Sequence, residues 1–225
     1  MDSLTMKPEE IEAESFRIID KEAGDHGWPE AEWQVVRRSI HTSADFEYAG
    51  SMVFSDGVVE KAVAAIKSGC GIVTDTNMAL SGISKERLAP FGCRAICHVA
   101  DPDVAESARR TGVTRSIAAM RKAVVSPDNR IFVIGNAPTA LFELLRLVRE
   151  GAAQPALIIG LPVGFVGAEE SKNALAATDG SIPFITNIGR KGGSNVAAAV
   201  VNALAIIAAA MVWAHAGMAT PCIAC

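Results

Sequence analysis

From residue 57 onward the apolar positions fall into short continuous runs, separated by longer stretches with helical spacing. The runs at 71–74, 94–99, 130–134, 156–160 and 183–186 are rich in Ile and Val and read as buried strands. Between them, 57–67, 102–125 (with Gly112 as a candidate break), 139–150, 169–177 and 194–214 read as helices. Ahead of this alternation, Pro8 suits a first helical turn, and Ile11, Phe16, Ile18 and Ile19 supply its apolar positions. A second helical stretch follows Pro29, runs through Trp33 and Val36, and ends near Ile40. Strands alternating with helices predict an α/β fold: a three-layer sandwich around a mostly parallel five-stranded sheet, flavodoxin-like. No repeat or linker divides the chain, so residues 1–225 are expected to form one domain.

The strand ends carry the chemistry. Each expected strand runs into small, polar or Gly/Pro-containing sequence: TDTNM, GNAPTAL, GLPVGFVGA and TNIGRKGGS. Ligands of open parallel sheets bind outside the carboxyl ends of the strands. Glycines there admit a large ligand to the backbone, and the helix N-termini that follow favour anions. The pattern therefore predicts one broad site for a sizeable ligand, with anionic groups as candidates.

Composition narrows the setting. A formal charge of −4 gives no global attraction to nucleic acid or to an anionic membrane, so a bound anion needs a local basic cluster. Five cysteines, an odd and scattered number, do not suit a secreted disulfide framework. The acidic start lacks the basic-then-apolar pattern of a signal peptide, and a cytoplasmic enzyme is expected. Residues 196–217 are long enough to span a bilayer. They are Ala-rich, contain Asn202 and have no basic anchor on the C-terminal side, so a buried helix is expected instead.

The densest chemical stretch is RRSIHTSADFEY at 37–48, which places Arg37, Arg38, His41, Thr42, Ser43 and Asp45 just after an expected helix. Cations there complement a helix dipole, and a histidine there also suits proton transfer; residue chemistry leaves both open. GNAPTAL at 135–141 reads as a strand–turn–helix corner with Pro138 as first helical residue. GRKGGS at 189–194 sets Arg190 and Lys191 beside two glycines, apt for a carboxylate or phosphate. It lacks the order of a Walker loop, and no GxGxxG occurs. Cys93, Cys97 and His98, and the CxxC of Cys222 and Cys225, match no common zinc spacing, so no metal is expected. His26 and His215 have no recognisable partner sequence.

Taken in order, RRSIHTSADFEY, TDTNMALSGI, GVTRS, GNAPTAL, PVGFVGAEESK and GRKGGS resemble the precorrin-8X methylmutase family over roughly residues 7–212. The resemblance implies a flavodoxin-like homodimer without a separate cofactor, moving a methyl group from C-11 to C-12 of a corrin precursor. It implies that His41 is the catalytic proton donor and that Ser15 and Arg38 contact the substrate. Arg115, the loop Gly135, Asn136, Ala137 and the loop Arg190, Lys191, Gly192 would complete the pocket. Cations dispersed around glycine-lined strand ends suit a wide ring edged with carboxylates. Two other functions are to be separated from this one: a nucleotide- or phosphate-using α/β enzyme, and a non-catalytic tetrapyrrole carrier.

Overall fold

The computed structural model describes residues 6–178, 180 and 182–215; the Cys222/Cys225 pair lies outside the described residues. The chain opens with helices α1 (Pro8–Ala23), α2 (Glu30–Ser43) and α3 (Tyr48–Ser51), then strand β1 (Met52–Phe54) and α4 (Val58–Lys67). After β2 (Gly71–Thr74) come α5 (Asn77–Gly82) and α6 (Lys85–Leu88), and after β3 (Arg94–Cys97) come α7 (Pro102–Thr111) and α8 (Arg115–Ala123). The remainder alternates: β4 (Asn129–Ile134), α9 (Pro138–Arg149), β5 (Leu157–Gly160), α10 (Ala168–Ala176), β6 (Phe184–Asn187) and α11 (Ser194–His215).

The sheet has six strands in the order β1-β6-β5-β4-β2-β3, which corrects the expectation of five. Strands β2 to β6 pair in parallel, while β1 runs antiparallel to β6 with Val53 opposite Thr186. A three-residue strand is too short to show periodicity, and its pairing partner lies far along the chain. Strand residues alternate between two apolar layers. Ile72, Ile131, Ile159 and Ile185 join one cluster with α2, α4 and α11, while Val73, Phe132, Ile158 and Phe184 join another with α7 to α10. Burial on both faces explains why these strands read as unbroken apolar runs.

The break at Gly112 is present: this glycine, at φ 70°, ends α7. Helix α2 runs on to Ser43, not Ile40, and is closed by Ala44 at φ 53°, whose N–H donates to the Ile40 carbonyl at 2.7 Å. His41 therefore sits in the last helical turn. In α11, residues 194–212 are long and apolar enough to cross a membrane. Val196, Val200, Leu204 and Ile207 are instead buried in the core layer shared with α2 and α4. Asn202, the polar residue within it, accepts from Ser84 N–H at 2.8 Å and donates to the Gly82 carbonyl at 2.9 Å, tying α11 to the end of α5.

Strands β2 and β4 are neighbours, yet β3 lies outside β2 and β5 outside β4. The chain thus leaves these two strands in opposite directions, and their carboxyl ends border the crevice at a topological switch point.

Candidate functional site at the carboxyl edge of the sheet

The last turn of α2 packs on α1. The exposed His41 ring lies 5.1 Å from that of Phe16, between centroids, and the Arg37 and Arg38 guanidinium carbons lie 4.6 and 5.0 Å from the same ring. Ser15 precedes Phe16 on α1 and turns its hydroxyl to the Ile11 carbonyl at 2.8 Å. Arg38 pairs with Glu12 at 2.9 Å, both side chains being largely buried. His41, Arg38, Thr42, Ser84, Arg87 and Asn202 line a cavity of about 370 Å³ between α2, α6 and α11.

A chain of contacts leads from this turn to both glycine loops. Asn195 donates to the Thr42 carbonyl at 3.5 Å, and Lys191 pairs with Asp45 at 2.5 Å and Glu47 at 3.0 Å. The Lys191 ammonium holds the Asp45 carboxyl below its usual range and is itself raised by that bond. Ser194 shares a 2.8 Å hydrogen bond with Thr76, the residue that caps α5, and its backbone packs on Gly135. A Cβ at Gly135 would stand 2.6 Å from the Ser194 Cα. Thr139 then meets Thr114 at 3.2 Å, and Thr114 caps α8, whose first residue is Arg115. His41, both loops and Arg115 thus lie along one edge, at the carboxyl ends of β2, β4 and β6.

Two buried charges support the loops, and reading the sequence missed both. The Asp75 carboxylate, with no exposed surface, accepts three backbone N–H groups: Gly135 at 2.9 Å, Asn136 at 2.8 Å and Ala137 at 2.7 Å. Burial pushes its pKa up against those three donors, which favour the charged form. Lys172, 1% exposed, donates to the Lys191 carbonyl at 2.5 Å and to Asn187 Oδ1 at 3.2 Å. Burial lowers its pKa to about 8. The buried Tyr48 hydroxyl points at the Gly192 carbonyl at 3.5 Å, and burial raises its pKa to about 12, so it stays a donor. Gly192 has no room for a side chain, since a Cβ would fall 2.2 Å from the Leu161 carbonyl oxygen. The signals were present as TDTNM at a strand end and a lysine closing PVGFVGAEESK, but neither shows its partner in the sequence.

The amides of Gly135, Asn136 and Ala137 are therefore all engaged by Asp75. Of the four expected carboxylate-binding cations, Arg38 and Lys191 are paired as above. Arg190 lies 4.0 Å from Glu169 and over the Phe165 ring at 5.7 Å. Arg115 is exposed and has no carboxylate partner among the described residues. The groove of about 910 Å³ lined by Cys70, Gly92, Arg94, Ile96 and Arg130 contains none of these residues and runs along the β3 edge.

The remaining candidates have structural partners. Cys93 donates to the Ile66 carbonyl at 3.2 Å, and His98 pairs with Asp101 at 2.8 Å. The His26 ring stacks on Trp33 at 3.7 Å. Among the described residues no group of three His, Cys, Asp or Glu side chains could hold a metal ion.

Comparison with known proteins gives this edge a lineage. The family profile described as Precorrin-8X methylmutase matches residues 10–207. The cobalt-precorrin-8 methylmutase of Priestia megaterium is 48% identical over 205 residues, covering 91% of this chain and 90% of that protein. The precorrin-8X methylmutase of a Sinorhizobium species is 43% identical, covering 85% and 90%. The crystal structure of precorrin-8x methyl mutase from Thermus thermophilus superposes with a TM-score of 0.80 at 44% identity, covering 88% of this chain and 97% of that one. The profile spans Ser15 on α1, the His41 turn and both glycine loops, and on these grounds the chain belongs to the precorrin-8X methylmutase family.

Proposed function

We propose that this chain is an isomerase of cobalamin biosynthesis that moves a methyl group from C-11 to C-12 of precorrin-8X or cobalt-precorrin-8, giving hydrogenobyrinate or cobyrinate. The observation that carries the reading is the position of His41: exposed, in the last turn of α2, on the edge where both glycine loops of the family pattern meet. The migration is intramolecular and transfers no electrons, so it needs neither nucleophile nor separate cofactor. What it needs is a polarised π system and a ring held in reactive shape. His41 lends a proton to the macrocycle and recovers it after the methyl has moved, leaving the atom count unchanged. Ser15 and Arg38 border His41, Arg115 reaches the substrate's carboxylate rim, and the segments Gly135, Asn136, Ala137 and Arg190, Lys191, Gly192 form the floor.

The parallel strands follow the order β3-β2-β4-β5-β6, which supports a flavodoxin-like sandwich within a single domain. The protein acts as a cytoplasmic homodimer, independent of membranes and nucleic acid. Phe165 and Val166, 84% and 89% exposed beside the site, are apolar surface that a partner subunit or a bound ring would cover. Relatives named for the cobalt-bound and for the cobalt-free substrate match at 48% and 43% identity. The test is therefore to mix the protein with each form of precorrin-8. The methylmutase reading expects a red-shifted product with at least one, because C-11 rejoins the conjugated system. Binding of the pigment without conversion would make the protein a carrier and refute the reading.

A further inference from the structure

The peptide planes around Gly135 carry a polarity that the family pattern does not announce. Asp75 closes β2, and its carboxylate takes the N–H groups of three consecutive residues from the loop after β4. No cation pairs with it among the described residues, so its hydrogen-bonding capacity is spent on that loop. The peptides are trans and planar, so turning the N–H of Asn136 and Ala137 toward Asp75 turns the carbonyls of Gly135 and Asn136 away from it. This loop therefore presents the exposed Asn136 carboxamide, and no free N–H from residues 135–137. A buried negative charge lies directly behind it.

The opposite arrangement holds in the adjoining loop after β6. Lys172 and Asn187 both donate to the Lys191 carbonyl, so the Gly192 N–H points away from them. One loop thus turns acceptors away from a buried anion, and the other turns a donor away from a buried cation.

We infer that Asp75 is a positioning residue that makes the Gly135–Asn136–Ala137 turn a hydrogen-bond-accepting surface, holding the Asn136 carboxamide ready for the central N–H groups of the macrocycle, approached from its face, while the substrate's carboxylates are recognised on the Arg115 and Lys191 sides. The inference rests on the proposed methylmutase reaction, in which a ring nitrogen gains a proton and becomes a stronger donor. An acceptor surface over a buried anion favours that form. A turn with outward amides would favour a carboxylate.

Five proteins test it: the parent, Asn136→Ala, Asn136→Asp, and Asp75→Asn alone and combined with Asn136→Ala. Pigment affinity, KM and kcat are measured together with thermal midpoints. Asn136→Ala removes an exposed carboxamide and should weaken binding about 10-fold with an unchanged midpoint. Asn136→Asp should bind more tightly than Asn136→Ala, because it restores an acceptor. Were the turn an anion site, the added charge would repel the substrate's carboxylates and Asn136→Asp would be the weaker of the two. Asp75→Asn sets an amide N–H against a backbone N–H and should raise KM about 10-fold while kcat stays within about threefold, since His41 is on another element. If Asp75 acts through Asn136, the double variant should lose little more than either single one. Additive losses, or parental binding by Asn136→Ala, would overturn the inference. Should Asp75→Asn fail to fold, the order of the two Asn136 variants still decides the polarity of the turn. A parent that fails to convert the pigment refutes the functional reading; a parent that converts it beside the wrong order of variants refutes this inference alone.

Discussion

Lys172 makes stability depend on pH in a direction opposite to that of a salt-bridged lysine. Its side chain is 1% exposed, and its hydrogen bonds go to the Lys191 carbonyl and Asn187 Oδ1, with no carboxylate in contact. Burial lowers its pKa from 10.5 to about 8. A lysine depressed on folding is bound to fewer protons in the folded chain than in the unfolded one between those two values. Stability therefore rises with pH across that window. The burden on the folded state at pH 7 is about 3 kcal/mol, and most of it is gone by pH 10, a change of about 2–3 kcal/mol. Lys172→Met removes the burden at neutral pH but leaves Asn187 Oδ1 without that donor, a loss of about 1–3 kcal/mol. The variant should fold near parental stability at pH 7 and fall behind by a further 2–3 kcal/mol or so by pH 10. Urea denaturation of both proteins at the two pH values reads the difference, in which titration of Tyr48 and the cysteines cancels. Parallel pH dependence in parent and variant would refute the argument that this ammonium is buried and charged.

Gly192→Ala should lower stability by about 1–3 kcal/mol, because its Cβ would collide with the Leu161 and Pro162 carbonyl oxygens, which are backbone atoms and cannot swing aside. Denaturant midpoints check this, and a neutral substitution would contradict the packing of this loop. Arg115→Met should cost about 1–3 kcal/mol of substrate binding and nothing in stability, since Arg115 has no ion-pair partner among the described residues. Arg38→Met should cost both, because it strands the largely buried Glu12 carboxylate. Calorimetric binding beside thermal melts separates the two, and identical behaviour would show that one of them is misplaced. Light scattering at micromolar concentration should report twice the chain mass, and a monomer that still turns over substrate would remove the dimer from the account.

Much of this architecture was readable because parallel strands buried on both faces leave unbroken Ile/Val runs, as at Ile72–Val73 and Ile158–Ile159. Gly112 was readable as a helix end because a positive φ has a residue-type signature. Strand β1 was not, since three residues held by pairing with β6 carry no local pattern. Helix α2 outran its expected end because Ser43 still accepts helical geometry and the stop is a non-glycine αL residue, Ala44. The site divides the same way. The glycine loops and His41 stand out as motifs, but Asp75 binds residues 60 positions away and Lys191 pairs with a residue 146 positions away. Lys172 reads as an ordinary polar helix residue, and its burial comes only from the packing of α10 on β6.

The central claim is that His41 drives the methyl migration as a proton donor. In His41→Ala, Ser15, the arginines and both glycine loops remain, and the exposed His41 ring, 5.1 Å from Phe16, contributes little packing. The variant should therefore fold and bind the pigment. Single-turnover absorbance with precorrin-8 should then show the red-shifted product forming about 10²–10⁴-fold more slowly than with the parent. Formation of that product at the parental rate would contradict the account and leave His41 as a helix-end residue.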